Sequence, residues 1–308
     1  MQGLHVSLLG KFCIKRGEAQ IYKLESRKAE ELLCYLLVSR ERAHPREALA
    51  ELLWGQDVSF QSKNYLRKAL WQLQSTLEPL ADQEEQRLLL VEPDWIQCNP
   101  ECDLWLDVAV IEDAFKLAKG ILGRALTQEQ AQALEAAVEL YKGDLLADCY
   151  QDWCLFERER LQYQYLGILD KLMDYCEQHQ DYESGLAYGE RILRYDRAHE
   201  RTHSQMMRLH YLAGDRIAAL RQYDKCRAAL HEELDIEPGE HIRQIYQQIR
   251  QDTLDAGSHA DHEEIHSPDS AALRTIHTRL GDFNASLSQL QAQLIKDLQA
   301  LDRVMRRQ

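Results

Sequence analysis

A 34-residue periodicity within a long run of helical pattern constrains this chain more than any other feature. Gln180-Asp181-Tyr182-Glu183-Ser184-Gly185-Leu186 is followed 34 residues later by Gly214-Asp215-Arg216-Ile217-Ala218-Ala219-Leu220. The same offset lays Tyr175 over Leu209 and Gly189 over Tyr223. A unit of this length is a pair of antiparallel helices. It cannot bury its apolar face alone, so it stacks on its neighbours. The stretch from Leu104 to about Leu254 is therefore expected to be helical throughout, as a tetratricopeptide-like solenoid. The aromatic residues that stud it, Trp153, Tyr163, Tyr165, Tyr175, Tyr182, Tyr188, Tyr195, Tyr211 and Tyr223, read first as repeat core. A peptide-binding concave face is the sharper alternative.

The N-terminal region follows a different rhythm. Leu4 to Lys15 alternates, is rich in β-formers and is broken at Gly10 and Gly17, which predicts one or two short strands. Ser26 is an expected N-cap for a helix whose buried face is Leu32, Leu33, Leu36 and Leu37, with an incomplete capping box. His44-Pro45 is expected to open a second helix, with Pro45 in its first turn and Gly55 as its stop. Ser59 to Leu77 predicts a third helix, with Leu66, Ala69, Leu70, Leu73 and Leu77 on one side. Leu88–Glu92 and Trp95–Cys98 read as a hairpin across Pro93-Asp94. Strands, three helices and a closing hairpin make a winged helix-turn-helix. The expected fold class is thus mainly α with a small β component. Its parts are a winged-helix domain over residues 1–98, a repeat domain over 99–254, a polar linker over 255–270 and a coiled-coil helix over 271–308.

That last segment carries Leu273, Leu280, Leu287, Leu294 and Leu301 at intervals of seven, with Ile276, Phe283, Leu290 and Val304 in companion positions and Asp297 as the one polar intruder. Such a seam favours self-association into a homodimer. The alternative is one amphipathic helix folding back on the repeats.

The net charge of −14 argues against nucleic acid only until its distribution is read. Residues 1–98 carry 13 Lys+Arg against 14 Asp+Glu, whereas residues 99–308 carry 24 against 37. A DNA-binding surface needs a local patch rather than a basic chain. The third helix supplies one. It holds Lys63, Arg67 and Lys68 and no acid. On a helical wheel, Asn64, Lys68, Trp71 and Ser75 oppose the apolar side, flanked by Gln61, Arg67 and Gln72. An apolar side that docks on two other helices and a polar side that enters the major groove is what a recognition helix requires. Asn and Gln can pair with adenine and Arg with guanine, while Lys63 and Lys68 can equally reach phosphates. Trp71 can pack on thymine methyls or sugars, or inward against the wing. Arg27 and Lys28 in the first helix and Arg42, His44 and Arg46 around the second are further candidate phosphate contacts. The wing carries Arg87 but turns at Glu92 and Asp94, which disfavours deep minor-groove insertion.

Other chemistries find little support. The eight cysteines read as free thiols, with redox or metal roles as the alternative. His259, His262 and His266 lie in the polar linker, where a metal site would lack preorganisation. No G-x-S-x-G, H-E-x-x-H or phosphate-cradling glycine loop occurs, and neither an enzyme nor a cofactor is expected. No apolar run approaches the ~18 residues of a membrane span, and no secretory leader is read at the start. A cytoplasmic, nucleoid-associated protein is expected.

Several blocks together resemble a known family. Ser26-Arg27-Lys28-Ala29-Glu30-Glu31-Leu32-Leu33, Leu49 to Gly55 and Asn64-Tyr65-Leu66-Arg67-Lys68-Ala69-Leu70 resemble the winged helix of the antibiotic-regulatory-protein (SARP) class. Leu140-Tyr141-Lys142-Gly143-Asp144-Leu145-Leu146, Asp152-Trp153, Glu157 to Leu161, Ala219 to Tyr223 and Glu232 to Gly239 resemble the bacterial transcriptional activator domain. The resemblance implies a transcription regulator that binds double-stranded promoter DNA and contacts RNA polymerase holoenzyme. The alternative is a protein-interaction adaptor whose winged helix no longer binds DNA. The acidic wing and the arginine-poor end of the third helix, Leu73 to Leu77, favour that reading.

Overall fold

The computed structural model describes residues 3–24, 26–55, 60–77 and 87–254, all within one unit. The linker and the leucine seam expected over 255–308 lie outside the described residues.

The chain opens with β1 (Leu4–Ser7), β2 (Cys13–Arg16) and β3 (Ala19–Ile21), antiparallel neighbours in sequence order. Alternation buries Leu4, Val6 and Ile14 on one face. Gly10 and Gly17 take positive φ at the reversals. Helix α1 (Arg27–Val38) follows, its N-cap Ser26 making no side-chain capping bond. Leu32, Leu33, Leu36 and Leu37 are fully enclosed.

His44–Pro45 departs from expectation. These residues form a short strand, β4, paired with Trp95 and Ile96, and helix α2 runs from Arg46 to Trp54. Pro45 is the N-cap, at φ −57° and ψ 135°, and not a first-turn residue. A fixed proline φ suits an extended residue as well as a helical one, and the choice falls to the strand partner that β6 supplies. Helix α3 (Phe60–Leu77) packs on α1 and α2 through Leu66, Ala69, Leu70, Leu73 and Leu77. The wing is β5 (Leu89–Val91) with β6 (Trp95–Cys98), and β4 makes it three-stranded.

The chain then returns to its beginning. Strand β7 (Leu104–Leu106) pairs parallel with β1, so this stretch is extended where helical pattern was expected. Its side-chain run is short and apolar, and only the waiting edge of β1 distinguishes a strand from a helix here. Helix α4 (Asp107–Leu117) starts directly from β7. The Asp107 carboxylate accepts the backbone N–H groups of Leu8 at 2.8 Å, Leu9 at 2.9 Å and Val108 at 2.8 Å. Burial pushes its pKa up against the pull of these donors.

The remaining described helices are α5 (Gln128–Val138), α6 (Asp152–Gln178), α7 (Tyr182–Leu193), α8 (Glu200–Leu212), α9 (Arg216–Leu234) and α10 (Glu240–Gln251), with a 3₁₀ turn at Gly123–Ala125. The 34-residue repeat has a clear physical basis. Asp181 and Asp215 cap α7 and α9, accepting from Ser184 N at 3.3 Å and Ala218 N at 2.8 Å. Gly185 and Ala219, four residues further on in each repeat, are both buried small residues. A Cβ on Gly185 would lie 3.0 Å from a Leu209 methyl and 3.2 Å from the Cys176 Cβ, so the close packing of α7 on α6 and α8 favours a small residue.

One core runs from Leu4 through the first three helices and on to Leu209, while a second, from Met207 to Leu254, serves α8 to α10. The winged part is therefore built onto the helical body. Leu9 bridges Leu145, Tyr35 meets Trp153 edge-on at 5.2 Å, and Gln151 donates to Leu53 O at 3.2 Å. Gly10, at φ +91°, lies so close to Gly143 that a Cβ on Gly143 would fall 3.2 Å from the Gly10 Cα. No helix among the described residues is long and apolar enough to cross a membrane.

Candidate nucleic-acid interface

Helix α3 presents two faces. Its leucines are enclosed by α1 and α2, while Gln61, Lys63, Tyr65, Arg67, Lys68, Trp71 and Ser75 are exposed and Asn64 and Gln72 are half-buried. Trp71 faces outward with 67% of its surface exposed, so it does not pack against the wing. Solvent exposure of so much indole is unusual without a partner. Tyr65 belongs to the same face and stacks on Trp54 at 6.3 Å. It escaped the sequence reading, although its place beside Gln72 and Gln61 on the wheel put it at the edge of that face.

The cations of the face differ in how they are engaged. Arg67 Nη1 donates to Asn64 Oδ1 at 3.3 Å, which holds the two side chains side by side. Lys68 makes no hydrogen bond or ion pair with another described residue. Lys63 is bound to Glu47 at 2.7 Å, and the hydrogen bond from Lys63 holds the Glu47 carboxyl below its usual range. An acid at this position offsets the lysine and would repel phosphate. Glu47→Gln is expected to raise DNA affinity about threefold to tenfold, within the range of one exposed charge. A filter-binding titration of the two proteins on one duplex checks it.

The other expected contacts lie apart from this face. Arg46 Nη1 donates to Glu92 O at 3.1 Å and so ties α2 to the wing turn. Arg27 donates to Asp148 O and pairs with Glu31 at 3.2 Å, and Lys28 pairs with the same Glu31 at 2.7 Å. Arg27 thus serves the joint between α1 and the loop before α6, while Lys28 pairs within its own helix. Arg42 reaches Tyr35 Oη at 3.5 Å. The His44 imidazole, lowered below its ordinary pKa by burial, donates from Nε2 to Ser39 O at 3.1 Å and belongs to the core.

The residues that hold the winged part to the body were not singled out as a site. Arg158 donates to Leu145 O at 3.2 and 3.1 Å, Leu146 O at 2.7 Å and Cys149 O at 3.0 Å. That grip holds Leu146 at φ 44°, a conformation costly for leucine. Glu112 accepts from Arg40 at 2.6 Å and from Arg160 at 2.8 Å, joining the end of α1 to α4 and α6. Among the described residues no cluster of three or more His, Cys, Asp or Glu side chains is arranged to hold a metal ion.

A winged three-helix head joined through a shared core to stacked helical pairs defines a two-part protein with a winged-helix head and a helical-repeat body. Residues 106–250 match the bacterial transcriptional activator domain. The chain is similar to the transcriptional regulatory protein MoaR1 of Mycobacterium tuberculosis (strain ATCC 25618 / H37Rv). The two are 25% identical over 238 residues, covering 72% of this chain and 71% of that one. The same figures hold for MoaR1 of Mycobacterium bovis (strain BCG / Pasteur 1173P2). Among solved structures, Mycobacterium tuberculosis EmbR in complex with a low-affinity phosphopeptide superposes with a TM-score of 0.62 at 19% identity. It covers 83% of this chain and 67% of its own. That likeness is one of fold.

Proposed function

We propose that this protein is a sequence-specific DNA-binding transcription regulator of the activating kind. Helix α3 enters the major groove, with Asn64, Arg67, Gln72 and Ser75 reading base edges, Lys63 and Lys68 on phosphates, and Trp71 and Tyr65 against sugar or thymine methyls. The observation that carries the reading is the α3 face itself, which holds exposed Arg67, Lys68 and Trp71 beside Asn64, with no acid anywhere in the helix. Arg46 on the wing side is a further backbone contact. The repeat body, rigidly joined to the head, contacts RNA polymerase holoenzyme. The protein works in the cytoplasm, on the nucleoid. Gel-shift titration of the DNA upstream of its own gene, over a series of salt concentrations, tests this. A log–log slope of about −0.9 per phosphate contact is expected. The adaptor reading draws on Glu92 and Asp94 at the wing turn and on the neutralisation of Lys63 by Glu47. Absence of any salt-dependent shift would favour it.

Leu273, Leu280, Leu287, Leu294 and Leu301 make the regulator a homodimer in this proposal, so that two heads reach paired half-sites with raised effective concentration. Removal of residues 271–308 is expected to halve the mass measured by light scattering at micromolar protein. A full-length protein that is already monomeric there overturns the dimer.

A further inference from the structure

A groove of about 390 Å³ lies between α7, α8 and α9, lined by Glu190, Leu193, Arg194, Met206, His210, Ala218, Arg221, Gln222 and Lys225. Its size falls within the range of ligand sites. Its charge runs against that of the region around it. Residues 99–308 carry 37 acids against 24 Lys+Arg, yet here three cations, Arg194, Arg221 and Lys225, face one acid, Glu190. None of the three makes a hydrogen bond or ion pair with a described residue. By contrast, Arg158, Arg160, Arg191 and Arg208 are each tied to a carbonyl or carboxylate. Three cations against one acid around one concavity leave an excess of positive charge, and an anionic occupant relieves this.

The floor is preformed. Gln222 is 2% exposed, and its amide nitrogen donates to His203 Nδ1 at 2.9 Å. The His203 Nε2–H is in turn committed to Arg197 O at 2.9 Å, which leaves Nδ1 as the acceptor. Leu193, Met206 and Ala218 supply apolar surface beside it. Arg221 and Lys225 stand one helical turn apart on α9, and Arg194 comes from the end of α7. Cations on both walls over an apolar floor suit a chain in which carboxylates alternate with aliphatic side chains.

We propose that this groove binds an acidic peptide segment of a partner protein, held by Arg194, Arg221 and Lys225 with its apolar side chains on Leu193, Met206 and Ala218. The site is separate from the α3 face and stands or falls independently of DNA binding.

The test is fluorescence anisotropy of the full chain with a fluorescein-labelled peptide of alternating glutamate and leucine, beside the same peptide with glutamine for glutamate. Binding of the glutamate peptide is expected to weaken as salt rises, and about tenfold or more in Arg221→Glu/Lys225→Glu, whereas Glu190→Gln tightens it. These side chains are exposed, so unchanged circular dichroism accompanies the loss. Arg67→Ala/Lys68→Ala should bind the peptide as the unaltered protein does. Equal binding of both peptides, no binding of either, or an unaltered affinity in the double reversal overturns the proposal. So does thermal stabilisation by citrate where the peptide has no effect, which would mark a small-anion site instead.

Discussion

Replacing Arg67 and Lys68 together by alanine is expected to abolish the gel shift at protein concentrations that saturate the unaltered chain, with the helical circular dichroism intact. Both side chains are exposed on α3 and neither is part of the core. Among the described residues Arg67 hydrogen-bonds the Asn64 side chain, at 3.3 Å, and Lys68 makes no hydrogen bond or ion pair. Stability therefore has little to lose. DNA binding has much to lose. A base-reading arginine contributes ~1–3 kcal/mol of discrimination and a phosphate-bound lysine adds counterion release, together about 30-fold to 1000-fold in affinity. The salt slope of any residual binding should become shallower by about 1. Undiminished binding by the double variant would remove α3 from the recognition role.

The second large effect concerns the joint between head and body. Glu112→Ala is expected to destabilise the protein by ~3–5 kcal/mol, because it leaves two guanidinium groups without their shared carboxylate in a partly buried site. Arg40 and Arg160 are 20% and 29% exposed, and Glu112 is 10%. Burial works against the Arg160 charge, yet Glu157 and Glu112 more than offset it and hold its pKa above the ordinary value. Glu157, at 2.6 Å, remains for Arg160, but Arg40 loses its anchor. With total stabilities of about 5–15 kcal/mol, a loss of this size is severe. Urea denaturation followed by tryptophan fluorescence reads it. Glu112→Gln, which keeps an acceptor, should recover part of the loss. A midpoint unchanged in Glu112→Ala would mean that the three-residue link contributes nothing to the joint.

The candidate DNA face was legible because a helix displays its sequence directly. A period of 3.6 assigns each side chain to a face, so Leu66, Leu70 and Leu73 go inward and Lys68 and Trp71 outward whatever else the chain does. The acid-free stretch from Ser59 to Leu77 needed no partner to be recognised. The repeats were legible for a related reason. Each Asp caps its own helix and each small residue marks a close approach, so the pattern recurs wherever the local geometry recurs.

The joint was not legible in physical terms, although its residues lie in the blocks that resemble the activator domain. Nothing in the pattern of the sequence singles out Arg158 or the Leu145-Leu146 pair. In the structure, Arg158 gathers three carbonyls from the loop that meets Leu9 and Arg27. Asp107 carries no signal of its own in the sequence, yet its carboxylate binds N–H groups almost a hundred residues away. Strands β4 and β7 escaped for the same reason, since two or three residues hold no period and become strands only when β6 and β1 offer an edge.

The amino-acid sequence by itself therefore determined the 34-residue stacking unit, the winged helices and which side of α3 faces outward, because these depend on contacts within a few residues. Only the tertiary structure decided that head and body share one core, that Arg27 serves their joint, and that three cations surround one groove in an acidic body. Those outcomes rest on partners dozens of residues apart, and folding alone brings them within bonding distance.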